Sequence, residues 1–299
     1  GGEFPFQGLD GETVRRWDES TNGDKWLPVT TESMIPFRGY EITSKVTAPK
    51  YEFEGTLNVG DKEIELSKTN GVNYEGMNLL ANSYTAAIPI SNLAITGTGG
   101  SLVNDTELAD QAVYLFNRGT RDQWRKTNGG SVAGIAGGQY TAVPINLAGQ
   151  ATLPDRILSM HSFMVNAASD EAQISLKYDQ LVKNETGTNQ PAWRSADNTG
   201  KRELPYIVLD VIGEESADRV WLFEESSATR GFDNGWDGYK MLEEGLIQTF
   251  VSGSDQSKYQ VATVPQMDGT TLGVSARNNE SYVVNVSVAA DVEVRRLYL

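Results

Sequence analysis

Cysteine is absent from this sequence of 299 residues, and histidine occurs once. The lack of cysteine excludes disulfide bonds, cysteine-based zinc sites and thiol nucleophiles. Basic residues are few: 25 Lys and Arg stand against 40 Asp and Glu, which gives a formal net charge of −15. Because an acidic surface repels phosphate backbones, we expect no nucleic-acid partner.

Long apolar runs and strong helix signals are also missing. No segment approaches the roughly 18 apolar residues that a membrane-spanning helix needs, so we expect no membrane insertion of this segment. The hydrophobic share is 39%, and Gly, Asn, Ser and Thr are plentiful. This composition is typical of a loop-rich β-protein rather than a helical one.

Short segments in which apolar and polar residues alternate recur along the chain, which is the pattern of half-buried strands. A hairpin is predicted where residues 51–57 precede the turn Gly60-Asp61 and residues 64–66. Their spacing and turn density predict an all-β fold with two antiparallel, jelly-roll-like β-sandwich domains. The other strand candidates are residues 113–116, 174–178, 206–211, 220–223, 282–288 and 292–299.

Two stretches of the chain repeat one order of features. In the first, a strand at Trp17 is followed by Trp26 and by a strand at Tyr40. In the second, a strand at residues 113–117 is followed by Trp124 and by a strand at Phe163. The echo predicts two strand-turn-strand units, with an insertion at about residues 127–152 in the second.

The length of the chain suits two domains. Residues 183–202 are polar and lack apolar periodicity, which predicts a boundary there. We therefore predict a first domain over residues 1–190, which contains both echoing units, and a smaller β-sandwich domain over residues 191–299.

Three phrases follow one another along the chain: GMNLLANSY at residues 76–84, MHSFMV at 160–165 and GFDNGWDGYK at 231–240. They resemble the phrases G-W-N-L-V-G-N-P-Y, Q-G-F-F-V and G-F-D-x-G-x-D-A-Y-K of β-rich modules in secreted and cell-surface proteins of the Bacteroidetes. Such modules are often found upstream of a type IX secretion sorting domain, which this sequence does not contain. Met77, Ala81 and Ser83 depart from the Trp, Gly and Pro of the first phrase.

The resemblance implies an extracellular or cell-surface location, associated with the outer membrane, and no known catalytic activity. It thus implies a non-catalytic module with a structural, adhesive or ligand-presenting role. The partners it implies are a glycan or another surface protein, with flanking domains in a larger chain. The protein is not expected to be an enzyme.

The third phrase also holds the best candidate for a metal site. Asp233, Asn234 and Asp237 place three oxygen-bearing side chains close together in a glycine-containing turn, and calcium prefers such ligands. The alternative is a structural turn, in which the Asp and Asn side chains bond nearby backbone amides. Residues 18–24 form a second oxygen-rich turn that has the same two interpretations. Beyond a structural calcium ion, no cofactor is expected.

Trp236 and Tyr239 lie in the same loop-like region and are the candidate ligand-binding residues. Exposed aromatic rings stack on sugars, so a carbohydrate-binding module is the alternative function. The competing interpretation is core filling, because aromatic side chains bury large areas.

No catalytic residue is predicted. His161 is the sole histidine, and no serine can be placed with it in a triad. A glycoside hydrolase, the less favoured alternative, needs two carboxyl groups facing each other across a cleft. The doublets at residues 214–215, 224–225 and 243–244 do not supply that pair, because neighbouring strand residues point to opposite faces.

Overall fold

The computed structural model describes residues 4–5, 13–29, 33–43, 55–90, 95–97, 107–117, 139–182, 203–213, 216–242, 247–276, 281–289 and 291–292. Within these ranges the chain forms 21 strands, together with short 3-10 turns at Ile145–Leu147 and Tyr178–Gln180. The predicted all-β class is confirmed. No helix in the described part is both long and apolar enough to cross a bilayer.

The chain divides into two compact units, each built from two stretches of sequence. Unit 1 comprises Gly1–Val113 and Asp155–Arg194, and unit 2 comprises Tyr114–Pro154 and Ser195–Leu299. The division falls within strand β10, Ala112–Asn117. The boundary predicted at residues 183–202 lies outside the described residues, so domains at 1–190 and 191–299 stay a prediction, as does the sandwich arrangement.

Unit 1 is made of short strands, and most of them belong to small antiparallel sheets. β2 lies between β3 and β5, β14 lies between β6 and β9, and β7 pairs with β13. The strands are β1 Phe4–Pro5, β2 Thr13–Trp17, β3 Trp26–Pro28, β4 Ser33–Met34, β5 Tyr40–Thr43, β6 Lys62–Glu65, β7 Met77–Ala81, β8 Ile88–Pro89, β9 Ile95–Gly97, β12 Arg156–Ile157, β13 Ser162–Asn166 and β14 Gln173–Leu176.

The β7–β13 ladder carries much of the core of unit 1. Phe163, Met164 and Val165 at the centre of β13 are fully buried, and Leu79 and Leu80 of β7 face them across the ladder. These strands have buried side chains on both faces, so they read as nearly continuous apolar runs rather than as alternation.

Two residues of the phrase GMNLLANSY have clear structural roles. Gly76 has a φ of 79°, and a Cβ at this position would lie 2.6 Å from Asn166 Oδ1 and 2.7 Å from the Ala167 carbonyl oxygen. A glycine is therefore needed at the start of β7. The fully buried Asn82 donates from Nδ2 to the carbonyls of Ala86 and Ile157 and accepts from the Tyr84 amide, so it ties the strand end to two loops.

Unit 2 contains one large sheet with the order β20-β18-β19-β16-β15-β21, and β17 pairs with β19 as well. The β16–β19 pair is parallel, an exception to the predicted antiparallel pairing. The strands are β11 Gln139–Pro144, β15 Tyr206–Gly213, β16 Ala217–Glu224, β17 Gly238–Tyr239, β18 Gln248–Ser252, β19 Lys258–Val264, β20 Leu272–Ser275 and β21 Tyr282–Val288.

The core of unit 2 lies on the β15–β16 hairpin. Leu209, Val211, Val220 and Leu222 share one face of it and pack with buried residues of β18 and β19. β21 continues this sheet beyond β15. Five of its seven residues are apolar, and every residue except the half-buried Val284 is exposed. The sheet therefore has a buried centre and an exposed apolar margin.

The predicted hairpin is only partly tested. Residues 55–57 of its first segment form no strand, residues 64–65 belong to β6, and β6 pairs with β14. The strands at residues 113–116, 206–211, 220–223 and 282–288 are confirmed, and the one predicted at 174–178 is confirmed over residues 174–176, since Tyr178 begins a 3-10 turn. Residues 51–54, Trp124 and residues 293–299 lie outside the described part, so the duplication stays a prediction.

Candidate functional site

The phrase at residues 231–240 folds as a tight loop that leads into β17, and we call residues 229–240 the aspartate loop. The carbonyl oxygen of Asp233 accepts hydrogen bonds from the amides of Trp236, at 3.0 Å, and Asp237, at 2.9 Å. Gly235 closes this turn with a φ of 79°, a conformation that favours glycine. The glycine and aspartate of the phrase thus specify the local fold.

Asp237 is the buried centre of the aspartate loop, with 1% of its surface exposed. Its Oδ2 accepts from the Asp233 amide at 2.6 Å, and its Oδ1 accepts from the Thr263 amide of β19 at 2.7 Å. Burial raises the pKa of Asp237 to about 7, while the two amide donors act in the opposite direction. The carboxyl group therefore joins the loop to the sheet.

The predicted calcium ligands are close in sequence but differ in their surroundings. Asp233 Oδ2 accepts from the Thr229 amide at 2.6 Å, Asp237 is buried, and Asn234 is exposed. These bonds fit the structural-turn interpretation. Among the described residues, no group of three or more His, Asp or Glu side chains is arranged to hold a metal ion. Calcium binding at Asp233, Asn234 and Asp237 stays a prediction.

The two predicted ligand-binding aromatics do not share one environment. The Tyr239 ring stacks on Phe232, with centroids 4.8 Å apart and planes 9° from parallel, and it also contacts Tyr259. Trp236 is half-buried, and its carbonyl accepts from Thr263 Oγ1. Core filling accounts for Tyr239, and sugar binding by Trp236 and Tyr239 stays a prediction.

A pocket of about 280 Å³ lies beside the aspartate loop, and Arg230, Asp237 and Tyr259 contribute to its wall. Arg230 donates from Nη2 to the carbonyls of Gln266 and Asp268 and from Nη1 to Thr270 Oγ1. Its guanidinium group is thus engaged in holding a neighbouring turn.

The oxygen-rich turn at residues 18–24 is a hairpin loop. Asp18 Oδ1 accepts from the amide and hydroxyl of Ser20, and Asp24 Oδ1 accepts from the Trp26 amide. These bonds lower the pKa of Asp18, the Ser20 hydroxyl contributing most. Both aspartates bond within the turn, as the structural interpretation predicts.

The remaining candidates for chemistry are dispersed. The His161 carbonyl accepts from the Asn82 amide just before β13. Glu224 accepts from the Met267 amide, and Glu225 accepts from the amide and hydroxyl of Ser227. The doublets at residues 214–215 and 243–244 lie outside the described residues.

Sequence reasoning missed a fully buried ion pair between Asp218 and Lys240. The side chains of Lys240 and Asp218 are 1% and 0% exposed, and Lys240 Nζ lies 2.6 Å from Asp218 Oδ2. Lys240 also donates to Gln139 Oε1 at 3.0 Å, and the Thr249 amide donates to Asp218 Oδ2 at 2.7 Å. The pair joins β16 to the chain immediately after β17.

A signal for this pair was present in the sequence. Alternation in β16 places Asp218 on the same face as Val220 and Leu222, so a charged residue stands at a core position. A buried carboxylate requires a partner, and Lys240 closes the phrase at residues 231–240. What the sequence lacked was the tertiary contact that brings the two together.

Similarity to known proteins is clear at the level of the family. A family model described as a domain of unknown function, DUF8693, matches residues 10–292. The chain belongs to this family. No solved structure matches it.

This DUF8693 chain is also similar to the minor fimbrium subunit Mfa5 of Porphyromonas gingivalis, with 46% identity over 301 residues. The match covers 96% of the chain and 24% of the relative. The chain therefore spans about a quarter of the length of that protein. Mfa5 is a surface protein of the Bacteroidetes, so the predicted resemblance to surface proteins of this group is confirmed. The predicted association with type IX sorting domains stays a prediction.

Proposed function

We propose that this DUF8693 chain is a non-catalytic, cell-surface module of a fimbrial subunit, with a structural or adhesive role. The observation that carries the proposal is the 46% identity to a minor fimbrium subunit across 96% of the chain. Because the chain spans 24% of that relative, the role of the whole relative is carried over only as part of the proposal.

The way in which polar groups are used supports a structural role. Asp237 bonds two backbone amides, and Glu19 Oε1 in unit 1 accepts from the Gly76 amide at 2.8 Å and the Thr69 amide at 3.0 Å. Arg230 holds carbonyl groups of a turn. Such bonds fix loops to sheets, which suits a rigid spacer.

The exposed margin of unit 2 supports contact with another surface protein. In β21, Tyr282 is 44% exposed, Val283 60%, Val286 41% and Val288 37%. Residues 283 and 286 point to opposite faces of the strand, so apolar surface is present on both. Contiguous exposed apolar side chains often mark protein interaction sites.

The proposal is tested in the source bacterium with antibodies against the folded chain. We expect the antibodies to label intact cells and to detect the full-length protein in purified fimbriae. Cells that carry an in-frame deletion of this segment should lose the label and show altered fimbriae or weaker adhesion. Exclusive recovery from the cytoplasmic fraction, with unlabelled fimbriae, would reject the proposal.

The surface on β21 gives a sharper test of the same proposal. Val283→Lys combined with Val286→Lys should reduce incorporation of the full-length protein into fimbriae, because charge replaces exposed apolar surface. The matched control is Lys62→Glu on β6, whose side chain is also exposed. Equal incorporation of both variants would contradict a role for β21 in assembly.

A further inference from the structure

The Asp218–Lys240 pair has the components of an amide bond in a site that excludes water. A primary amine and a carboxyl group lie 2.6 Å apart, and both side chains are buried. Leu209, Val211, Val220 and Leu222 belong to the apolar core that contains this part of β16. Charges are costly in such surroundings, and burial accordingly raises the pKa of the Asp218 carboxyl group.

One oxygen atom of the pair lacks a hydrogen-bond partner. Asp218 Oδ2 has two donors, the Thr249 amide and Lys240 Nζ, whereas Oδ1 has no hydrogen-bond partner. The adjacent Arg219 amide also favours the ionised carboxylate, but it is not a hydrogen-bond partner of Oδ1. A buried carboxylate oxygen without a hydrogen bond is unfavourable in free energy, so the ion pair is incompletely stabilised at this site.

An amide between the two groups would satisfy every one of these partners. Its carbonyl oxygen, the former Oδ2, keeps the bond from the Thr249 amide. Its single N–H keeps the bond to Gln139 Oε1. The unsatisfied Oδ1 leaves, and both charges disappear. The surroundings therefore match the donors and acceptors of an amide better than those of an ammonium and a carboxylate.

We propose that Lys240 and Asp218 condense without an enzyme into an intramolecular isopeptide bond, with the release of one water molecule. The bond would link β16 covalently to the residue that follows β17. It does not depend on the fimbrial role proposed above.

The step balances with the groups that are present. One proton moves from Lys240 Nζ to the Asp218 carboxylate, which leaves a neutral amine and a carboxylic acid. The nitrogen lone pair attacks Cγ, and a tetrahedral intermediate forms. Oδ1 then departs with its own proton and the second proton of the nitrogen as water, and the C–O bond breaks. No oxidant, reductant or other reactant is required.

Burial acts on the equilibrium that precedes attack. Desolvation raises the pKa of Asp218, while the Lys240 charge and the Thr249 amide oppose the shift. A raised pKa favours the carboxylic acid, from which water departs more readily than from a carboxylate. Gln139 holds the amine through one hydrogen bond and keeps it beside Asp218.

Mass spectrometry of the denatured full chain tests the bond directly. We expect an intact mass below the sequence mass by one water molecule. Complete trypsin digestion should yield residues 203–219 joined to residues 231–258, because trypsin does not cleave after an acylated Lys240. An unmodified mass after prolonged incubation of the folded protein would overturn the proposal.

Matched variants separate this bond from other losses of water. Lys240→Arg should restore the full sequence mass, whereas Lys258→Arg, at an exposed lysine in the same tryptic segment, should keep the loss. A succinimide at Asp237-Gly238 would also lose water, but within one unlinked peptide and reversibly in mild base. Finding the loss only in such a peptide counts against the proposal, even if Lys240→Arg does not fold.

Discussion

Two ion pairs formed by neighbouring residues of β16 differ in their burial and in how many carboxylate oxygens are hydrogen-bonded. Arg219 bonds both oxygens of Asp210, at 2.5 and 2.8 Å, and the two side chains are 14% and 10% exposed. Asp218, one residue earlier, meets Lys240 in full burial and retains an unsatisfied oxygen. A planar guanidinium matches a carboxylate and keeps its charge, whereas an ammonium can lose a proton when buried. The same strand therefore carries one stable pair and one that is prone to react.

Breaking the Asp218–Lys240 pair is expected to have the largest effect. Lys240→Met leaves Asp218 buried without a cation, which should lower the free energy of unfolding by about 3–5 kcal/mol. Urea denaturation of the full chain measures this loss, with Lys258→Met as the exposed control.

The double variant Lys240→Met, Asp218→Leu sharpens the comparison. If the two residues formed an ion pair alone, an apolar replacement of both should restore most of the stability. A covalent link restricts the unfolded chain, so we expect the double variant to stay below the wild type. Full recovery would argue that no link contributes to stability.

Replacement of Asp237 is expected to have the second largest effect on stability. Its carboxyl group is buried, and the partners named above are backbone amides rather than a cation. Its pKa of about 7 in the folded state exceeds the ordinary value of 3.8, so the folded state binds more protons than the unfolded chain between these pH values. Stability relative to Asp237→Asn should therefore fall as pH rises from about 4 to 7, by up to about 4 kcal/mol, and level off above. Urea denaturation at several pH values measures it, and Asp268→Asn, at an exposed position, is the control. A pH-independent difference would contradict the assigned shift.

Removal of the Asp210–Arg219 pair should have the smallest effect of the three. Asp210→Asn keeps one acceptor for Arg219, which also lies 5.7 Å from the Trp221 ring centroid and retains partial contact with solvent. We expect a loss of about 1–2 kcal/mol in the free energy of unfolding. A loss equal to that of Lys240→Met would show that burial does not separate the two pairs.

Local patterns in the sequence were enough to predict the strands and the loop. Alternation located β15, β16 and β21, and the Asp and Gly residues at 233–237 predicted a turn whose side chains bond the backbone. Alternation also located β6 but gave no indication of its partner β14, which lies more than 100 residues away along the chain. Pairing between distant segments leaves no local signal, and for the same reason the contact of Asp218 with Lys240 could not be read from either segment alone.

The glycine at the start of β7 has a practical consequence for recognising relatives. Any side chain at Gly76 would collide with Asn166 and Ala167, at the end of the strand that pairs with β7. A homologous sequence with another residue at this position must either shift the β7–β13 register or separate the two strands. The residue at this single position therefore indicates whether a distantly related sequence forms the same β7–β13 pairing.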